Sequence, residues 1–373
     1  MRLTIVSLAL LLAVWALYPL AIAIVARRRP ALRAAPPGFA PTVTCVVASR
    51  DAAALLRTRV ANLLDAAYDP ARLDVVVALD RAAAEAAPAE LADLGPRVTV
   101  VEGDAPGGKG PGLNAAVRAA RGEVLVFTDS QQRFAPDAVA RLVELLHDPA
   151  VGAVSGLLEL PGDRGGRSPA ELYWSYERRL REHEARVHST IGVTGAIYAM
   201  RRALWSPLPA GLILDDVFTP MRLVLDGYRI EFTPLARAVD ARRTAAGQEY
   251  RRKVRTLTGV IQLCAWMPAV LAPVRNPVWL QFVFHKLLRL ATPWLLIAAA
   301  VGVVWEIADR VAPRTFWLGT LVVVAAGLAA SVLPIVGRRV RGLVVWGVTL
   351  QAAVVVATVN GLRGRWDVWQ SPR

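Results

Sequence analysis

Cysteine, histidine and lysine are all scarce in this chain of 373 residues, and each shortage narrows the chemistry open to it. The two cysteines, Cys45 in an apolar strand pattern and Cys264 in an apolar helical one, provide neither a disulfide framework nor a zinc spacing. That usage fits a reducing compartment. Of the four histidines, His183 and His188 are too loosely arranged for a metal pair, and His147 precedes Asp148-Pro149 in a loop. Lysine occurs only at Lys109, Lys253 and Lys286, so 41 of the 44 basic residues (44 − 3) are arginine. Those three exceptions reflect either chance or places that require a compact ammonium.

Apolar residues are abundant, at 55% of the chain with a mean hydropathy of +0.39. Such values are high for a soluble protein and ordinary once membrane segments are set aside. The net charge of +14 could serve nucleic acid or an anionic membrane surface. The basic clusters Arg27-Arg28-Arg29, Arg251-Arg252-Lys253 and Arg338-Arg339 with Arg341 lie beside apolar segments. That placement favours membrane lipids as partners and argues against nucleic acid.

The expected layout is an N-terminal transmembrane anchor (1–26), a linker (27–40), an α/β domain (41–247), amphipathic interface helices (248–290), three transmembrane helices within 291–362 and a basic tail (363–373). Leu3 to Ala26 is uncharged and long enough to cross a hydrocarbon core of about 30 Å. The arginines that follow it point to a retained anchor with its C-terminal flank in the cytoplasm. Spans are expected near 291–309, 315–336 and 343–361, and eight of the eleven tryptophans lie beyond residue 260, as interface anchoring would require. The location implied is the cell (inner) membrane, multi-pass, with the α/β domain cytoplasmic.

From Thr42, short apolar runs alternate with helical stretches: strands at 43–47, 74–79, 98–101 and 124–127, helices at 52–66, 82–94 and 113–120. A βαβαβ succession predicts a mostly parallel sheet with ligands at its C-terminal edge. Asp51, Asp80, Lys109 and Asp129 all fall at or just after such edges.

Asp129 ends a strand and leads into polar Ser130, Gln131, Gln132 and Arg133. It can cap a following helix or, as a hard oxygen ligand, hold Mg²⁺ or Mn²⁺ against a diphosphate. Gly107-Gly108-Lys109-Gly110-Pro111-Gly112 can bring backbone amides and an ammonium to a phosphate, but its spacing is not that of a P-loop. Asp215-Asp216 precede a helical stretch. Two adjacent acids raise one another's pKa and suit a general base, while an N-terminal cap is the competing explanation, and the acids alone do not choose. Tyr173, Trp174, Tyr176, Glu177, Leu180 and Glu184 share a helical face that could line a groove or simply pack.

Together these residues resemble glycosyltransferase family 2, in the membrane-bound branch with cellulose-, chitin- and hyaluronan-synthase-like enzymes, over roughly residues 41–290. The turn Ala48-Ser49-Arg50-Asp51 resembles the family's Ala-Arg-Asn-Glu turn. Asp80 stands where relatives contact the nucleoside, and Gly108-Lys109 with Asn114 matches their Gly-Lys…Asn loop. Asp129-Ser130-Gln131 matches the metal-binding Asp-x-Asp, with Gln131 in place of the second acid. Gly195-Ala196-Ile197-Tyr198-Ala199 matches the acceptor-side segment. Asp215-Asp216 matches a Glu-Asp pair whose second member is the catalytic base, and Arg252 and Arg255 sit where relatives carry Gln-x-x-Arg-Trp. Ala52, Arg81-Ala82 and Thr256 depart from the family pattern.

The resemblance implies a GT-A, Rossmann-like α/β fold and transfer with inversion from a nucleotide-diphosphate sugar, a UDP-sugar being the expected donor, to a polysaccharide or lipid-linked acceptor. Transfer of one sugar to a polyprenyl phosphate, and a degenerate nucleotide-sugar-binding subunit of an export complex, are the alternatives.

Overall fold

The computed structural model describes residues 2–29, 35–159, 169–240, 246–312, 315, 319–321 and 336–367. The chain divides into two compact units, one of Ile22–Thr244, Gln262–Phe282 and Trp366–Arg373, the other of Met1–Ala21, Ala245–Ile261 and Val283–Arg365.

The first unit is built on strands β1 (Val43–Ser49), β2 (Leu73–Leu79), β3 (Val98–Glu102), β4 (Val124–Thr128), β5 (Arg133–Phe134), β6 (Val151–Glu159), β7 (Tyr198–Arg201) and β8 (Arg229–Val239). They form one sheet in the order β3-β2-β1-β4-β7-β6-β8-β5. Pairings β1–β2, β2–β3, β1–β4 and β6–β8 are parallel, and those that β7 makes with β4 and β6, and β5 with β8, are antiparallel. The parallel half takes the chain's unbroken Val/Leu runs because both faces are covered. Cys45, Val47, Val75 and Val77 share a core with Leu56 and Val60 of helix α2 (Ala53–Leu64), numbered after the N-terminal helix α1 (Arg2–Arg27). Burial pushes the Cys45 thiol up to about 12, which leaves it inert at neutral pH. Helices α3 (Lys109–Ala119), α4 (Ala138–Glu144), α5 (Pro169–Val187) and α6 (Asp215–Leu225) complete the first unit's main helices.

The stretch 82–94 is not the helix its alanines suggest. It holds only a 3₁₀ turn at Pro88–Leu91, and of its side chains only Ala86 and Leu91 are buried. Alanine favours a helix locally, but without an apolar stripe nothing fastens one to the sheet. Within the region of expected interface helices (248–290), helix α7 (Ala246–Trp266) ends at Trp266. Met267, ahead of Pro268, adopts φ −135° and ψ 65°, because the ring excludes the helical region for its predecessor.

The second unit is helical and includes α8 (Thr292–Arg310) and α9 (Val336–Leu362). Trp15 Nε1 donates to Thr292 Oγ1 at 3.2 Å, Tyr18 stacks on Phe284 at 5.4 Å, and the Arg289 guanidinium lies 4.5 Å over the Trp15 ring. Arg2–Arg27 and Thr292–Arg310 are long and apolar enough to cross a membrane by length and composition. Leu8, Leu12, Ile297, Val301 and Trp305 on these two helices are exposed. The expected span at 315–336 lies largely outside the described residues, and the expected 343–361 falls within α9.

Glu231 of β8 is fully buried beside Arg229, whose guanidinium is 2.6 Å from Oε1. Burial outweighs that attraction and raises its pKa from the ordinary 4.5 to about 7. The folded state therefore keeps a proton that the unfolded chain releases, so stability falls as pH rises from about 4.5 to about 7. Glu231→Gln should flatten that slope, removing up to about 3 kcal/mol of pH dependence as read from unfolding midpoints across the window.

Candidate active site

The parallel strands β1, β2 and β4 end together and carry Asp51, Asp80 and Asp129 to one edge. Arg50, at the end of β1, is exposed. The Asp51 carboxylate accepts from Ser49 Oγ at 3.0 Å, from Ser130 Oγ, and from Gln131 Nε2 at 3.3 Å. It therefore ties the turn after β1 to the turn after β4. Asp80 Oδ1 accepts from Ala82 N at 2.8 Å and Ala83 N at 3.2 Å, while Oδ2 accepts from Gly108 N at 2.9 Å. One carboxylate thus closes its own turn and anchors the glycine loop. Gly107 has φ +100°, and a Cβ there would lie 2.7 Å from Ala82 Cβ, so both conformation and space require glycine.

Lys109 is the first residue of α3, where a positive charge meets the unfavourable end of the helix dipole. It is held there by acids. Its Nζ lies 3.2 Å from Asp129 Oδ1 and 3.3 Å from Asp215 Oδ2. Burial lowers the lysine pKa, but Asp129, Asp215 and Asp216 outweigh it and carry the net value above the ordinary one. The ammonium is charged at any working pH.

Asp215 and Asp216 open α6. The segment leading to them is pinned from two sides. Asn114 bonds Leu208 through both amide ends, at 2.9 Å from Nδ2 to the carbonyl and 2.8 Å from the backbone N–H to Oδ1. Gln262 accepts from Ile213 N at 2.9 Å and donates to Gly211 O at 3.0 Å. Asn114 is thus occupied with the backbone approach to the acids. The Gly192–Ala196 segment packs on Asp216, whose carbonyl accepts from Val193 N at 2.8 Å. A Cβ at Gly195 would lie 3.2 Å from Asp216 Cβ. Ala196 and Tyr198 are buried, and Tyr198 pairs with Phe127 across the antiparallel β4–β7 ladder, their rings stacked at 4.6 Å. The Tyr198 hydroxyl finds no protein partner among the described residues. Burial raises its pKa, with Asp215, Asp216 and Asp129 adding to the shift.

Two arginines absent from the sequence-derived set also border the site. Arg181 of α5 donates to Thr194 Oγ1 at 3.2 Å, Ser155 Oγ at 3.3 Å and Gly192 O at 3.1 Å. Burial lowers its pKa, while Glu177, Asp216 and Glu184 pull it up. It lies four residues from Glu177, a spacing that could have drawn attention to it. Arg59 of α2 is fully buried beneath Thr128. On the shared face of α5, Leu180 and Glu184 are buried while Tyr173, Trp174, Tyr176 and Glu177 are half-buried. Arg252 and Arg255 lie on α7, in the helical unit.

The described residues hold no group of three or more His, Cys, Asp or Glu side chains arranged for a metal. Asp129 and Asp215 converge on one cation, Lys109 Nζ, and Gln131 adds a neutral amide. A set of one or two carboxylates suits Mg²⁺ or Mn²⁺ that completes its shell with substrate phosphate oxygens and water. The residues fit such an ion.

The glycosyltransferase-like family 2 model matches residues 40–259, more than half of the chain. The chain belongs to that family. It is accordingly a glycosyltransferase with a GT-A, Rossmann-like α/β domain. Among solved structures it is similar to the mannosyltransferase PcManGT from Pyrobaculum calidifontis in complex with GDP-Man and Mn²⁺, with 26% identity, 96% of this chain and 99% of that one covered, and a TM-score of 0.72. It also matches mannosyl-3-phosphoglycerate synthase from Rubrobacter xylanophilus at 17% identity, covering 65% and 77% with a TM-score of 0.41, a likeness too distant to carry any argument. No curated protein matches the chain.

Replacing Lys109 leaves Asp129 and Asp215 facing each other without a counter-ion. Lys109→Met should cost about 2 kcal/mol of stability in metal-free buffer, a figure reduced from that of a fully buried pair because Asp129 is partly exposed. Millimolar Mn²⁺ should restore part of the loss, read as a rise in thermal midpoint larger than the wild type shows.

Proposed function

We propose that this glycosyltransferase moves a sugar, with inversion, from a nucleotide-diphosphate donor to a lipid-linked or polysaccharide acceptor at a membrane. The observation that carries the reading is the cluster in which Lys109 Nζ sits between Asp129 and Asp215 with Asp216 next in sequence. A strand-end acid and a helix-start pair of acids brought together by one ammonium support a reading in which one serves a diphosphate and another an acceptor hydroxyl.

Asp80 and Asp51 shape the turns that receive the nucleoside, with Arg50 beside them. Asp129, helped by Gln131, would hold a divalent cation, which would supply charge neutralisation for the diphosphate leaving group. Lys109 adds a second positive charge to that neighbourhood. Asp216 takes the proton of the acceptor hydroxyl as its oxygen bonds to the anomeric carbon and the bond to the diphosphate breaks. Asp215 keeps Lys109 in place. Gly195, Ala196 and Tyr198 form the acceptor side, with glycine leaving Asp216 room to face the incoming hydroxyl. By motif position, Arg252 and Arg255 neutralise the departing diphosphate.

The donor base is where expectation and comparison diverge. The family resemblance pointed to UDP, whereas the similar PcManGT structure holds GDP-Man with Mn²⁺. GDP-mannose is therefore the first donor to try, and UDP-sugars the second. Membrane association rests on the exposed apolar surfaces of Arg2–Arg27 and Thr292–Arg310 and on the arginines that follow the first of them.

Protein reconstituted in lipid should transfer sugar from one donor of a GDP- and UDP-sugar panel with Mn²⁺ or Mg²⁺. Asp129→Ala should abolish turnover, and Asp216→Asn should lower kcat by at least about 100-fold while nucleotide binding, read by calorimetry, is retained. Turnover retained by Asp216→Asn would remove it as the base, and nucleotide binding without transfer to any acceptor would favour a binding subunit.

A further inference from the structure

Arg59 is among the largest fully buried side chains of the described residues, and nothing in the proposed chemistry uses it. Its guanidinium donates to Thr128 Oγ1 at 2.6 Å and to Asn62 Oδ1, and stacks 4.3 Å over the Phe134 ring. Its Nε has no partner. Burial pushes its pKa down to about 10, so it is still a cation at neutral pH. A buried cation with an unmatched donor is a poor source of stability, and an apolar side chain of similar volume would fill the space at less cost. The arrangement makes sense if its geometry matters.

That geometry grips one loop at both ends. Arg59 and Asn62, three apart on α2, share a helix face. Arg59 holds Thr128, the residue before Asp129. Asn62 holds Phe134, accepting from its N–H at 2.9 Å and donating to its carbonyl at 3.2 Å. Between the two clamps lie Asp129 and Gln131. Thr128 accepts from Arg59 and passes its own hydroxyl proton to Ala196 O at 2.9 Å. Arg59, Thr128 and Ala196 thus form a directional hydrogen-bond chain from α2, under the Asp129 turn, to the segment that packs on Asp216.

We propose that Arg59, which touches neither substrate, is a positioning residue that acts through Thr128 to fix the Asp129 turn and hold it in register with the acceptor-side segment at Ala196. The inference rests on the reading of Asp129 as the carboxylate facing metal and diphosphate.

Thr128→Val, which removes the hydroxyl at nearly constant volume, is the primary variant. Arg59→Met, Arg59→Lys and the Arg59→Met/Thr128→Val double variant accompany it. Binding of Mn²⁺ with GDP is read by electron paramagnetic resonance, beside kcat, donor KM and thermal midpoint. Thr128→Val should bind Mn²⁺ about tenfold more weakly and lose a similar factor in kcat, with its folded fraction unchanged. The double variant should be no worse than the worse single, since both break one chain. Arg59→Lys should resemble Arg59→Met, because an ammonium cannot bridge Thr128 and Asn62 as the planar fork does.

A folded Thr128→Val with wild-type Mn²⁺ affinity and kcat overturns the proposal, even if Arg59→Met fails to fold. Full rescue by Arg59→Lys overturns it as well, reducing Arg59 to its charge. If the wild type transfers sugar and Asp129→Ala does not, either result strikes this inference alone. If the wild type neither binds Mn²⁺ nor transfers, the reading of Asp129 fails and takes the inference with it.

Discussion

The site depends on one ammonium ion kept between acids. Asp129 arrives on a strand end, Asp215 and Asp216 on a helix start some ninety residues later, and Lys109 Nζ bridges Asp129 to Asp215. The ammonium in turn tolerates the positive end of α3 because the carboxylates are there. The turn after β4 and the start of α6 are thus positioned by the same interaction.

Around that interaction the protein uses side chains that bond to backbone. Asp80 closes its own turn and captures Gly108, Asn114 and Gln262 restrain the path into Asp215, and Arg181 grips the segment that rests on Asp216. Each is a polar group placed where a loop would otherwise have to be held by water. The sheet supplies the rigid edge, and these bonds set how far each loop strays from it.

The parallel half of the sheet was legible because buried parallel strands read as uninterrupted Val/Leu runs, and the strand-end acids mark its working edge. Residues 82–94 misled because alanine advertises helix without an apolar face to dock it. Inside the expected 248–290 region, α7 ends just before Pro268 although the apolar run continues past it. At the site, Lys109 stood out as one of three lysines, and its chemistry justified the attention. The Asn114 amide is matched to the Leu208 backbone, a partner 94 residues distant that no local pattern reveals. Arg59 was hidden for the opposite reason. In a chain with 41 arginines, one more on a helix carries no signal until burial singles it out.

The strand direction reverses at β7, in the middle of the sheet. Asp51, Asp80 and Asp129 hang from parallel strands, whereas the 192–197 segment leads into a four-residue strand running the other way. The two meet through the antiparallel β4–β7 backbone ladder, through the stacked Phe127 and Tyr198 rings and through the Thr128 hydroxyl. A change of ring at Tyr198 is therefore felt by the strand that carries Asp129 as well as by its own.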